Sequence, residues 1–384
     1  MALSKPVYLD HHATTPLDPR VLVVLQRIQK EHFGNPASAG HAFGWAAARL
    51  VEEAREKVAH LIGGTAREIV FTSGATEADN LALLGVAQSY GSGGGHVVTT
   101  NLEHEAVHGP LAEFARRGGR ITTVRAGSDG RVTSGDIASA FQPDTMLVSV
   151  MTAQNEIGTI QPVAEIGGIC RRQGILFHTD AAQAAGRIPL DVERDKIDLL
   201  SLSAHKIYGP KGVGALFVRR RDPRVTLAPL MFGGGQERGL RPGTLNVPGI
   251  AAFGEACRLA EEEMATEAKR LLELRKRLWT ALTGALDGVH LNGSSEMRLP
   301  GNLNVSFDGI RAHRLLGALT VLGVSSSSAC TSGETRPSAI LEAIGVPVEL
   351  AMASLRIGLG RFTTEEEVEF ASDRIIAAVR ELRG

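Results

Sequence analysis

The sequence predicts an α/β chain of two domains, a large mostly parallel seven-stranded sheet followed by a smaller α/β domain. Three observations carry this. From Glu68 onward, short β-rich runs alternate with amphipathic stretches, the pattern of repeated strand–helix units. Residues Ala251 to Leu286, rich in Glu, Lys, Arg, Leu and Ala, read as one long helix able to carry the chain out of that sheet. The 384 residues exceed the roughly 250–300 at which one core stops growing, and 43% apolar content is enough to fill two.

The first five strands are expected at Ile69–Thr72, His96–Thr100, Arg120–Val124, Met146–Val150 and Ile175–His178. Two more, Ile197–Ser203 and Gly214–Val218, are separated only by a glycine and proline turn. That is too short for a parallel crossover, so they should pair antiparallel. Beyond the long helix come a strand Leu303–Phe307, a helix Ala312–Leu322, a serine-rich strand and loop, two short helices, a strand Leu355–Leu359 and a terminal helix. Thr363 and Thr364, with Glu366 and Glu367 three residues on, start that last helix as a capping box. The Gly91–Gly95 run is a turn rather than a nucleotide loop, since no GK[ST] follows it.

The 41 basic and 42 acidic side chains nearly cancel, which gives no electrostatic reason to expect nucleic acid or an anionic membrane as a partner. The Arg219-Arg220-Arg221 cluster follows an apolar strand and reads as a solvated turn. The N-terminus lacks a secretory core and no stretch reaches the ~18 apolar residues of a membrane span, so a cytoplasmic enzyme is expected. Cys170, Cys257 and Cys330 fit neither a zinc site nor a disulfide framework. The first two fall in helical patterns, as buried fillers do.

Ligands of open α/β sheets collect at the carboxyl ends of the strands, and several reactive side chains fall there. Lys206 ends an apolar strand and enters a glycine-rich turn; an amine so placed either snorkels to water or loses its proton for covalent work. Ser203 and His205 beside it offer hydrogen bonds to an anion. The turn Thr72-Ser-Gly-Ala75-Thr76 opens a helix whose free amides suit a phosphate. Asp180 ends another strand, where a carboxylate either caps a helix or keeps a pyridine nitrogen protonated, with Gln183 in reach of the ring's oxygen. His104 is either an ordinary loop histidine or a ring stacked on a flat cofactor. Asn155 and Arg356 are candidates for orienting a substrate, the rigid fork of Arg356 suiting an α-carboxylate. Cys330 lies among small polar residues in SSSSACTSG, where a thiol is accessible and able to react as thiolate.

These residues stand in motifs spread over the whole chain: YLDHHATTP, FGNPASAGHAFG, EIVFTSGATEADN, NEIGTIQP, HTDAAQAAG, SAHKIYGPKGVGAL, GGGQERGLRPGT, SSSSACTSG and LRIGLGRFTTEEE. In them the chain resembles, essentially end to end, the cysteine desulfurases of the NifS/IscS type. These are fold-type I pyridoxal 5'-phosphate enzymes related to class V aminotransferases. The resemblance implies a large cofactor domain over residues 16–255 and a smaller one formed by 1–15 and 256–384 that carries the cysteine loop. It implies that Lys206 bonds to the cofactor's aldehyde, Asp180 pairs with the ring nitrogen, Gln183 contacts the ring oxygen and His104 stacks on the ring. Phosphate contacts would come from Ala75, Thr76, Ser203 and His205, with Thr244 reaching across from a second subunit of a homodimer. Asn155 and Arg356 would hold the carboxylate of L-cysteine, and Cys330 would take its sulfur as a persulfide, releasing alanine.

Ser327 stands where many relatives have glycine, and His11-His12 replace small or amide residues near the substrate. The loop from Cys330 to Pro337 has the length seen in the NifS/IscS subgroup, which favours delivery of sulfur to an acceptor such as an iron–sulfur scaffold or a tRNA-thiolation enzyme. The chain stops at Gly384, where housekeeping members often continue into a scaffold-contacting tail. The alternatives are a selenocysteine lyase or another class V lyase or aminotransferase, and a catalytically silent scaffold.

Overall fold

The computed structural model describes residues 6–91, 94–326, 329–331 and 334–384; the side chains of 329–331, 334 and 335 lie outside that description. Its larger sheet has seven strands in the spatial order Ile69–Thr72, Gly214–Val218, Leu199–Ser203, Leu176–Asp180, Thr145–Ser149, His96–Thr100 and Arg120–Val124. Every neighbouring pair is parallel except the two made by Gly214–Val218, which runs antiparallel to both of its neighbours. The short turn after Ser203 therefore has the expected consequence. Six of the seven strands are buried almost throughout, and only Arg120–Val124 at the edge is largely accessible, as expected for a sheet covered by helices on both faces.

The residues that end five parallel strands, Thr72, Thr100, Ser149, Asp180 and Ser203, are all polar and lie along one edge of this layer. Gly214 enters the sheet at the same edge, in register with both Thr72 and Ser203. A Cβ on it would stand 2.4 Å from the Leu202 carbonyl oxygen and 2.7 Å from Gly74 Cα. Only glycine allows this approach.

The helix Val247–Ala285 has 39 residues and serves two cores. Its first half, from Val247 to Ala260, packs into the apolar cluster under the large sheet. Leu271, Leu274, Leu278 and Leu282 of its second half pack with Leu303, Val305, Leu355, Ile357 and Ile375 instead. That second cluster lies on a four-stranded antiparallel sheet ordered Ser325–Ser326, Ser354–Gly358, Asn302–Phe307, Val289–Leu291. The terminal helix Glu365–Arg383 starts in a capping box between Thr364 and Glu367.

Two expectations are corrected. The helix expected over Ala312–Leu322 ends at Ala318, because Leu322 and Gly323 pair in parallel with Val7 and Tyr8, a partner more than three hundred residues away in sequence. Arg219 is not in a solvated turn: it is 1% exposed, reaches Glu193 at 3.0 Å and Asp198 at 3.2 Å, and donates to the carbonyls of Val192 and Ile197. A buried guanidinium with carboxylate partners is a structural tie. Arg220 and Arg221 remain accessible.

Among the described residues no helix is long and apolar enough to cross a membrane, and no group of three or more His, Cys, Asp or Glu is placed to hold a metal. Cys170 and Cys257 are buried in helices, and burial pushes the Cys170 thiol up to about 12. Neither is a nucleophile.

Candidate active site

A cavity of about 480 Å3 opens at the polar edge of the large sheet, and it gathers nine of the twelve residues singled out in the sequence: Ala75, Thr76, His104, Asn155, Asp180, Gln183, Ser203, His205 and Lys206. Arg356 stands beside them, with Nη1 3.4 Å from the Asn155 carbonyl oxygen. Thr244 does not join them; it is exposed, in the loop after the turn Gln236–Gly239. Cys330 lies in the strand Ala329–Thr331, which pairs antiparallel with Glu334–Arg336. Its side chain, and Ser327, lie outside the described residues.

One end of the cavity is built for an anion. The helix Ala75–Tyr90 starts after Gly74 (φ 156°), and no side chain caps it. First-turn amides have no acceptor within their helix, so they are free to meet a ligand beside Ser203 and His205. His205 is held by Thr14, Nδ1 to Oγ1 at 3.0 Å, and burial together with the charges of Lys206 and Lys211 lowers its pKa to about 4.

At the centre, Lys206 donates from Nζ to the carbonyl oxygens of His12 at 2.7 Å and Ala13 at 2.8 Å. Burial, and then the cations Arg187 and Arg356, bring its pKa down to about 8. Such an amine is uncharged far more often near neutrality than an ordinary lysine, and in that form it can attack a carbonyl.

The floor is acidic. Asp180 accepts from the Ala182 amide at 2.8 Å, and burial and the nearby Asp79 raise its pKa. Asp79 is fully buried, and neither of its oxygens makes a hydrogen bond of good geometry among the described residues. Burial, only slightly offset by Ser201, raises it to about 7. Glu103, bonded to Thr100 Oγ1 and the Met151 amide, is raised by burial to about 8. His178, between Ser149 and Ser201, stands 3.4 Å from Asp79 and is lowered by burial to about 4. An acidic floor of this kind is suited to a cationic ring nitrogen.

These observations together fit pyridoxal 5'-phosphate: a side-chain-free helix start for the phosphate, a poorly basic amine for the aldehyde and buried carboxylates short of donors for the pyridinium. His104, whose Nδ1 accepts from the Ala106 amide at 3.1 Å as the cap of its own helix, borders the space between them.

Sequence reasoning missed Asp79, Glu103 and Arg187. Asp79 follows Ala75 by one helical turn, so an i, i+4 reading from the chosen residues would have found it, whereas Arg187 lies in a non-helical turn and is brought in by His11, His12 and Lys206.

The model of the class V aminotransferases matches residues 7–370. Cysteine desulfurase IscS of Anaeromyxobacter sp. (strain Fw109-5) is 53% identical over 378 residues, covering 98% of this chain and 93% of the relative. The protein of the same name from Proteus mirabilis (strain HI4320) is 50% identical over 380 residues, again 98% of this chain, and 94% of its own length. Among solved structures, a NifS-like protein superposes with a TM-score of 0.91 at 38% identity, covering 98% of this chain and all of the other. SspA, solved in complex with cysteine, gives 0.81 at 34% identity over 93% of this chain and all of its own.

Proposed function

The chain belongs to the class V aminotransferase family, and from that membership and the cavity's chemistry we propose that it is a pyridoxal 5'-phosphate-dependent cysteine desulfurase. It removes sulfur from L-cysteine, leaving L-alanine and a persulfide on Cys330. The observation that carries this reading is Lys206, a poorly basic amine between an anion cradle and an acidic floor.

The cofactor, when bound, supplies an aldehyde for amines and a ring that accepts electrons from the substrate. Ala75, Thr76, Ser203 and His205 would hold its phosphate, Asp180 its ring nitrogen and Gln183 its ring oxygen, and His104 would border the ring. Arg356 and Asn155 hold the substrate carboxylate. Lys206, released when the substrate amine takes its place, carries the α-proton. The Cys330 thiolate attacks the substrate's Sγ: an S–S bond forms, the Cβ–Sγ bond breaks, and its electron pair is protonated at Cβ to give alanine.

Thr244 completes the cradle from the second subunit of a homodimer. This is supported by its exposure and by large aromatic side chains left in water elsewhere on the surface, Phe232 at 87%, Phe33 at 74% and Trp45 at 60% exposed. The chain divides into a large domain over 16–255 and a small one from 1–15 and 256–384; two separate apolar clusters support two domains, although the larger cluster runs on to Ala260 and takes in Leu299. The persulfide passes to a protein acceptor, an iron–sulfur scaffold or a tRNA-thiolation enzyme, in the cytoplasm, where thiols stay reduced.

Incubation with 35S-cysteine followed by alkylation and peptide mapping tests the reading. Label is expected on Cys330, with one alanine formed per persulfide. Release of sulfide at full rate by Cys330→Ala would overturn it.

A further inference from the structure

His11 and His12, in the N-terminal segment, are closely packed against the strand that carries Arg356 and the residues that follow it. A Cβ at Gly358 would stand 2.8 Å from His12 Cδ2, and one at Gly360 2.1 Å from His11 Cδ2, so the strand carrying Arg356 makes room for both rings. His12 is 1% exposed. Its Nδ1 accepts from Arg187 Nη1 at 2.7 Å, which places the ring's proton on Nε2 and makes the ring neutral. Arg187 in turn donates to Gln183 Oε1 at 3.0 Å and, through Nη2, to the backbone oxygens of His11 at 2.7 Å and Lys206 at 3.2 Å. None of its four acceptors is a carboxylate. Its charge is thus held against the Lys206 backbone by neutral acceptors, with Glu267 and Tyr208 facing it across a small neighbouring cavity.

We propose that Arg187 and His12 are positioning residues that clamp the end of the Lys206 strand onto the N-terminal segment and make the Lys206 amine less basic and more nucleophilic than an ordinary lysine. Both halves of the clamp act on the same residue: Arg187 binds the Lys206 carbonyl, and the His12 carbonyl receives the Lys206 amine. The other groups facing that amine are few. Arg356 is cationic, but Asp10 answers it at 2.8 Å. Asp180 and Asp10 favour the charged amine, while His205 beside it is held neutral by burial. Lys211 lines the same cavity. Of the cations that oppose protonation of the amine, Arg187 acts more strongly than Arg356, whose charge Asp10 answers. Neutral His12 is the acceptor that lets a guanidinium sit there, since a charged imidazole could not accept from it.

The inference rests on Lys206 being the amine that takes the aldehyde, so its test has two separate arms. In the first, the full-length chain freed of cofactor is acetylated in competition with a reference amine across pH, and Lys206 is followed by peptide mass spectrometry. The wild-type midpoint is expected near 8. Arg187→Gln should raise it by about one pH unit, which at pH 8 lowers the uncharged fraction about five-fold. Arg187→Lys, keeping the charge, should restore the wild-type midpoint. His12→Leu should raise it, while His12→Asn, which still offers an acceptor, should not. A midpoint unmoved in folded Arg187→Gln overturns the proposal; if that variant does not fold, His12→Leu decides in the same way. In the second arm, pyridoxal phosphate is rebound and fixed with borohydride. Label on a lysine other than Lys206 would overturn the functional reading and leave the titration result standing.

Discussion

Arg356 donates from Nη2 to Asp10 at 2.8 Å, across the junction of the strand Ser354–Gly358 and the N-terminal segment, while its buried Nε has no partner among the described residues. Asp10 thus fixes the guanidinium and leaves an orphaned donor, a costly arrangement unless a ligand completes it.

The first prediction is that L-cysteine's carboxylate completes it. Charge-assisted hydrogen bonds contribute about 1.5–3 kcal/mol, so Arg356→Gln should raise KM by roughly ten- to a hundred-fold. The visible absorption of the bound cofactor should persist, because no cofactor contact is lost. Steady-state kinetics beside a spectrum would check both, and an unaltered KM would rule out the assignment.

How much of this was legible in the sequence depended on range. Strand ends and helix starts are local signals, so Lys206, Asp180 and the Gly74 turn could be found from their neighbours alone. Asp10, His12 and Arg187 act through contacts that span long stretches of chain, and no window contains both partners. Arg219 misled for the same reason: its carboxylates, Glu193 and Asp198, precede the strand that delivers it. The pairing of Leu322 with Val7 overrode a helical pattern that was locally sound.

The second prediction concerns pH. Glu103, Asp79 and Asp180 have folded pKa values raised by burial, so the folded chain binds more protons than the unfolded one and loses stability as pH rises toward those values. The buried histidines, lowered from 6.5, act in the opposite sense until they finish titrating in the unfolded chain, and Lys206, lowered to about 8, begins to add stability as pH nears that value. Between pH 6.5 and 8 the three acids outweigh these bases, and the cofactor-free chain should lose on the order of 1 kcal/mol. Urea midpoints at the two pH values would show it, and Glu103→Gln should flatten the slope. A slope of the opposite sign would mean these carboxylates are ionised when folded.

The third prediction tests what holds the loop that bears Thr244. Glu237, at a left-handed φ of 46°, accepts from Arg55 at 2.7 and 2.8 Å and from the Phe71 amide at 2.8 Å, and Arg55 lies 4.6 Å from the Phe71 ring centroid. Removing Glu237 leaves the buried Arg55 with only the exposed Glu52, at 3.1 Å, as a carboxylate partner, so Glu237→Ala should cost about 3 kcal/mol. Thermal unfolding would measure it, and a loss below about 1 kcal/mol would show that the pair is solvated in solution.

The same loop gives the last prediction, because the fold separates Thr244 from its own chain's cavity. If Thr244 serves the partner's phosphate cradle, Lys206→Ala and Thr244→Val damage opposite sites of a mixed dimer: one site loses both residues and the other keeps both. Co-expressed in equal amount and paired at random, half the dimers are mixed, so about a quarter of all sites should be intact. Those sites should retain cofactor through gel filtration and be reducible by borohydride on Lys206, whereas Thr244→Val alone should lose cofactor roughly ten-fold more readily, the cost of about one charge-assisted hydrogen bond. Were Thr244 to act within its own chain, each mixed dimer would hold one site without the lysine and one without the threonine. No tight fraction would then appear, and the exposed loop would need another explanation.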